Sequence, residues 1–195
     1  MKRHGLPHPL ALLLALLLAL TAASGCQATR PRSEATVMSP TEARARLTAL
    51  LDDTLTAVTP PLGFRDSWPD VTENDTPRGT ANVSLDRFVT TRVDPTKYGA
   101  LLGLVERHWK ARGYTIESVN PDTAMPAIFA RTPDRSAIHL TIGYPGNITF
   151  TANVSPIDAP DLTKGNPFGP RPAEPSAPNG NLALLPTIDD PFWSH

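Results

Sequence analysis

Few residues in this chain have the type and spacing to do chemistry. Its one cysteine, Cys26, stands in the stretch LALTAASGCQATR, between a Leu/Ala run and a polar segment. A single thiol forms no disulfide within its own chain. Beyond the N-terminal stretch the histidines are His108, His139 and His195. Two acidic pairs occur, Asp52-Asp53 and Asp189-Asp190. The first falls on the exposed side of a helical pattern and the second in the tail, so both read as solvated charges rather than acid/base pairs. No Gly-x-Ser-x-Gly elbow, His-Glu-x-x-His pair or phosphate-cradling glycine loop is present. No catalytic residue, metal ligand or cofactor is therefore expected. One catalytic arrangement stays open, a triad of His139 with a threonine and a distant aspartate, because neighbours in space are not written in sequence.

The setting of Cys26 says more. The chain starts positive, with Lys2 and Arg3, and Leu10 to Leu20 then runs apolar without a break. A membrane-spanning helix needs about 20 apolar residues, so this run is too short to remain as a span. With the small residues Thr21, Ala22, Ala23, Ser24 and Gly25 after it, the pattern is that of a secretory signal peptide over residues 1–25. Ala23-Ser24-Gly25-Cys26 resembles the lipobox of bacterial lipoproteins. The resemblance implies that the Cys26 thiol receives a diacylglyceryl group and that the chain is cut before Cys26. It also implies that the protein is held at the extracytoplasmic face of the cell membrane. One acyl chain holds a protein only marginally, at about 0.8 kcal/mol per buried CH₂, whereas two hold it stably. The place of Ala23 more often carries Leu, Val or Ile. That leaves open ordinary cleavage after Ala23 and secretion of a soluble protein.

Removing residues 1–25 takes Lys2 and Arg3 from the 18 basic residues and leaves all 19 acidic ones, so the rest carries about −3. So mild a charge points to neither nucleic acid nor an electrostatic membrane patch. The remaining length suits one domain with its own core. Asn-x-Ser/Thr sequons occur at Asn74, Asn82, Asn147 and Asn153. Beside a bacterial lipobox they read as coincidence in a Ser- and Thr-rich chain.

Residues 26–38 are polar and aperiodic and read as a tether. Ser39-Pro40-Thr41-Glu42 starts a helix, with Ser39 as cap, Pro40 at the first position and Glu42 completing a capping box. Leu47, Leu50, Leu51, Leu55 and Val58 give it one apolar stripe, and Pro60-Pro61 is its expected stop. Residues 59–80 read as a long loop carrying Phe64 and Trp68, aromatics that plug against the domain or contact a ligand. Residues 82–93 alternate as a strand. Val83, Leu85, Val89 and Val93 share one parity, and Asn82, Ser84, Asp86, Thr90 and Arg92 the other. Arg87 and Phe88 break the alternation, as at a bulge.

Asp94-Pro95 opens a second helix that runs to Arg112 and is stopped by Gly113. Tyr98, Leu101, Leu102, Val105 and Trp109 form its buried stripe, Glu106 and Lys110 pair outside, and His108 packs beside the stripe. Strands follow at 114–119, 127–132, 138–144 and 148–154. Turns fall at Thr132-Pro133-Asp134-Arg135 and Tyr144-Pro145-Gly146-Asn147. Residues 155–195 read as a Pro-rich, largely disordered tail. Its end is apolar again, through Leu182, Leu184, Leu185, Ile188, Phe192 and Trp193.

This order predicts an α+β fold over residues 39–154. It would be two-layer, with a mainly antiparallel sheet of about five strands packed by the long second helix, and an additional N-terminal helix. The stretches VTTRVDPTKYGALLGLVERHWKARGYTI, MPAIFARTPD and FTANVSP are similar to a group of uncharacterised actinobacterial lipoproteins. These share a strand, a Trp-containing helix ending in Gly-Tyr, and an Ala-x-Thr-Pro-Asp turn. The resemblance implies an architecture and no activity. Its members often carry a cysteine after the final Ser-Pro, where this chain has Ile157, so no disulfide follows.

The expected functional surface is one face of the last hairpin. His139, Thr141, Thr149, Thr151 and Asn153 should point to one side, joined by Thr90 and Arg92. Such a face suits a peptide, a glycan or a small ligand. Phe64, Trp68, Phe192 and Trp193 are the candidate interaction aromatics. The Pro191-Phe192-Trp193 end either folds back on the domain or docks on another envelope protein. The chain thus reads as a binding or interaction module, lipid-anchored through Cys26 and without a nucleic-acid partner. A hydrolase without a recognisable motif is the alternative.

Overall fold

The structure, a computed structural model, describes residues 36–144, 146–173 and 186–195. Cys26, the signal peptide and most of the tether lie outside the described residues. Among those described, no helix is long and apolar enough to cross a membrane.

Helix α1 (Pro40–Leu55) begins as its first residues dictate. Ser39 Oγ accepts from the Glu42 amide at 3.3 Å, and the Glu42 carboxylate accepts from the Ser39 amide at 2.8 Å. The helix ends at Leu55, short of Pro60-Pro61, although Val58 beyond it is still buried. Asp94 Oδ1 accepts from the Thr96 amide at 2.8 Å and caps a 3₁₀ turn at Pro95–Lys97. That turn leads into α2 (Tyr98–Ala111). Gly113 follows with φ +77°, and its amide donates to the Lys110 carbonyl, closing the helix end. Glu106 and Lys110 pair at 2.6 Å as the spacing requires.

The strands are β1 (Phe64–Asp66), β2 (Asp70–Glu73), β3 (Thr80–Val89), β4 (Thr115–Asn120), β5 (Ala127–Arg131), β6 (Ala137–Gly143) and β7 (Asn147–Asp158). They form one antiparallel sheet of seven strands in the order β1-β3-β7-β6-β5-β4, with β2 also on β3. From β3 the chain passes through α2 to the far edge and then meanders back to β3. Leu47, Leu50 and Leu51 of α1 share one core with Leu101, Val105 and Trp109 of α2 and with Val83, Leu85, Leu140 and Phe150 of the sheet. Trp109 Nε1 donates to Thr54 Oγ1 at 2.9 Å and ties the two helices together.

Several expectations are corrected. The sheet has seven strands rather than about five, because the 59–80 loop supplies two of them. β1 pairs with residues 87–89 of β3 and β2 with residues 81–84, so together they cover one edge that would otherwise expose its amides. β7 continues past residue 154 to Asp158, and Ile157 is fully buried. Met38, placed in the tether by the sequence, is bonded to this extension: its amide donates to Pro156 O, and its carbonyl accepts from the Asp158 amide. No bulge falls at Arg87 and Phe88. The register shift lies between Ala81 and Val83, and alternation runs straight through 87 and 88.

Arg87 therefore stands on the core side, only 2 % exposed. Its Nε and Nη2 meet the two oxygens of Asp66 at 2.6 and 2.9 Å, and Nη1 meets Asp52 Oδ1 at 2.7 Å. Its guanidinium lies 4.0 Å from the centre of the Phe64 ring. Burial alone would lower its pKa, but the hydrogen bonds and charges of Asp66 and Asp52 outweigh it and raise the pKa. Asp52 is thus an ion-pair partner linking α1 to β3, not a free solvated charge.

Truncating a buried ion-paired side chain costs far more than replacing it with an apolar group of similar volume. Arg87→Ala should lower the urea unfolding free energy by about 3 kcal/mol with an unchanged m-value. Arg87→Met, which keeps the stem, should recover at least half of that loss. Equal losses for the two variants would show that volume is not the issue.

Candidate functional site: the outer face of the sheet

The strand registers gather the expected face. On β6 and β7, His139 stands opposite Thr151, Thr141 opposite Thr149, and Ala137 opposite Asn153. β3 lies on the other side of β7, with Asp86 opposite Thr151, Phe88 opposite Thr149 and Ser84 opposite Asn153. Across β5, Phe129 stands opposite His139. The odd-numbered residues of β3 are buried and the even-numbered ones from Asn82 to Phe88 half-exposed, which sets this face away from the core. All five residues expected on one face are brought together, and Ser84, Asp86, Phe88 and Phe129 are added to them.

One row crosses the sheet at its centre: Phe129, His139, Thr151 and Asp86. Thr151 Oγ1 donates to Asp86 Oδ1 at 2.6 Å. The His139 ring lies 5.2 Å from that of Phe129, tilted by 32°. Burial pushes the His139 pKa below its ordinary 6.5, with Asp86 acting weakly the other way. The row holds the residue types of a threonine triad but in a different order. In a triad the histidine takes the nucleophile's proton. Here Thr151 gives its hydrogen bond to the carboxylate, and the histidine stacks on a phenyl ring.

What the face offers is hydrogen bonding flanked by rings. Hydroxyl, amide and imidazole groups occupy its middle, Phe129 lies on one side and Phe88 on the other. The Arg65 guanidinium covers the Phe88 ring at 4.9 Å. Of Thr90 and Arg92, expected to join the face, Arg92 is engaged elsewhere through its side chain and Thr90 meets the C-terminal residues only through its main chain. The Thr90 carbonyl accepts from the Thr187 and Ile188 amides, and Arg92 pairs with Asp189 at 3.0 Å. Asp189 and Asp190 are likewise not free charges, since Asp190 Oδ1 accepts from the Phe192 and Trp193 amides, each at 2.8 Å.

The four candidate aromatics are scattered. Phe64 is 44 % exposed and stacks on Arg87. Trp68 lies under the Arg44 guanidinium at 4.8 Å, with its indole nitrogen buried and unpartnered. Arg44 also lines an open groove with Pro40, Thr41, Pro167 and Phe168. Trp193 folds back on the domain: it is fully buried, and Nε1 donates to Pro60 O at 2.7 Å. Phe192 packs edge-on against it, half-exposed. His108 is bonded to Asp53 at 3.0 Å, and the same carboxylate oxygen accepts from Arg112 at 3.1 Å. His195 is met through its main-chain oxygen by Lys97.

Among the described residues no group of three His, Cys, Asp or Glu side chains could hold a metal ion. Comparison of the chain with protein families, curated proteins and solved structures finds no match.

The depressed His139 pKa has a consequence for stability. The unfolded chain binds this proton more readily than the folded one. The stabilisation from the neutral ring is complete above about pH 6.5 and is lost as pH falls towards the folded value. In an imidazole NMR titration, His139 should have its midpoint below 6.5. His139→Gln should flatten the acid slope of the unfolding free energy. A midpoint at or above 6.5 would refute the assignment.

Proposed function

We propose that this chain is a cell-envelope lipoprotein, anchored through a diacylglyceryl group on Cys26 at the extracytoplasmic face of the membrane. We further propose that it works as a binding or interaction module rather than as an enzyme. The anchor reading rests on the apolar run Leu10–Leu20, the small residues after it and the lipobox-like Ala23-Ser24-Gly25-Cys26. The similarity to actinobacterial lipoproteins agrees with it. With Met38 bonded to β7, the chain from Cys26 would reach at most about 40 Å, holding the domain close to the bilayer.

The observation that carries the binding role is the row Phe129, His139, Thr151 and Asp86, in which Thr151 is itself buried, with the half-exposed Thr141, Thr149 and Asn153 on the same face. In this reading the domain is two-layered, with the helices on the opposite side of the sheet. The bonding of Thr151 to Asp86 favours recognition over nucleophilic attack. The departure at Ala23 favours one second reading, a secreted soluble protein cut before Ser24.

Two measurements test these readings. The N-terminal peptide, taken from the membrane fraction of the native host, should begin at Cys26 and carry the mass of a diacylglyceryl group. An unmodified peptide beginning at Ser24 would overturn the anchor. For the face, amide NMR spectra recorded with a soluble muropeptide digest, which presents glycan and peptide together, should shift at His139, Thr149 and Thr151. Thr149→Lys should abolish those shifts without altering the melting temperature by more than a few degrees. Shifts confined to α1 and α2, or none at all, would remove the face from consideration.

A further inference from the structure

The C-terminal residues are held in the way a peptide ligand is held. Asp190 to Ser194 first close a turn on themselves. Asp190 Oδ1 accepts from the Phe192 and Trp193 amides, the Asp190 amide donates to Ser194 Oγ, and the Ser194 amide donates to Asp190 O. Pro191 sits at the first position after this cap, where its fixed φ suits the turn and its missing N–H costs nothing. In the docked segment these bonds fix the backbone around Trp193, and bonds of this kind within a ligand reduce the ordering cost of binding.

The domain then receives it along one groove. Trp193 inserts completely, and its indole nitrogen donates to Pro60 O. The Arg92 amide donates to Ile188 O, the Asp94 amide to Trp193 O, and Thr90 O accepts from the Thr187 and Ile188 amides. Ser194 Oγ donates to Arg92 O, Arg92 pairs with Asp189, and Lys97 Nζ donates to the carbonyls of Phe192 and His195. Gly63 keeps the groove open. A Cβ there would stand 2.8 Å from Thr90 Oγ1 and 3.6 Å from Ile188 Cδ1. One deeply buried aromatic anchor, a short run of backbone pairing and flanking charges are the parts by which peptides are recognised.

We propose that the groove formed by Pro60, Gly63, Thr90, Arg92, Asp94 and Lys97 is a recognition site for Asp-Pro-Phe-Trp-Ser peptides. The chain's own Thr187–His195 occupies it here, and the same segment of a second copy fits it equally. Residues 174–185 join this segment to the domain and span at most about 45 Å, enough to serve a neighbouring copy.

The test uses the full chain with a protease site placed between Ala173 and Pro186. After cutting, a labelled peptide of residues 186–195 is added as the stand-in for a second copy's segment. The expected result is saturable exchange into the groove by fluorescence anisotropy, with the near-UV circular dichroism of the domain unchanged. The same peptide carrying Trp193→Ala should bind at least about tenfold more weakly. Three outcomes would each overturn the proposal: unfolding of the domain when its segment leaves, a retained segment that never exchanges, or release without uptake of the labelled peptide. The first two would make Trp193 an ordinary core residue.

Discussion

The pairing of β3 with β7 is the constraint on which the rest of the structure depends. These strands are far apart in the chain, and the whole of α2 and the β4–β6 meander lies between them. Their register decides both faces at once. It sends Val83, Leu85 and Val89 to the core with Ala152 and Val154, and it sets Asp86 beside Thr151 on the outside. A slip of one residue would exchange the two sets, burying the Asp86 carboxylate and exposing the valines. The shift between Ala81 and Val83 takes up the mismatch at the end of the ladder and leaves the central rows in step.

The same ladder explains why a charged residue is tolerated inside. Arg87 follows the core parity of β3 and has no route to the outer face. Its stem packs in the core while its head reaches the rim, where α1 brings Asp52 and β1 brings Asp66. The aspartates stay partly wet, so only the guanidinium is fully desolvated, and it finds a two-pronged partner whose geometry suits it. β1 is short and mostly exposed, and this pairing gives it a fixed place on the edge. The polar residue that interrupts the apolar pattern of β3 is the one that attaches an extra strand.

What was legible in the sequence follows from the range of the interactions. The capping box at Ser39 and Glu42, the stripe of α2, its glycine stop and the four-strand meander are local, and each is found where its residues put it. The hairpin face of His139, Thr141, Thr149, Thr151 and Asn153 was legible for the same reason, because a tight turn fixes the pairing of its two strands. The sequence shows the parity of Asp86 but not its neighbours, since strand order is a long-range property. β1 and β2 were hidden by prolines and by lengths too short for a period to show. Asp52, Asp53 and Asp189 read as surface charges because their partners Arg87, His108 and Arg92 are distant in sequence.

The last residues, 186–195, show most clearly what composition leaves out. An average over residues 155–195 is dominated by proline and small polar residues, and such averages describe chains unable to bury enough apolar surface to order themselves. Ordering of a short segment needs only one large apolar side chain with a place to go, and Trp193 has that place beside Pro60. Its burial also bears on the outer face of the sheet. Arg92 is drawn to Asp189 of the C-terminal residues, while Thr90 meets them only through its main-chain carbonyl. The centre of the face is left with hydroxyls, a histidine whose pKa burial lowers, and one carboxylate already bonded to Thr151. Groups of this kind are cheaper to strip of water than unpaired charges. Under the proposed binding role, discrimination there would rest on the pattern of donors and acceptors between Phe129 and Phe88, and would respond only weakly to salt.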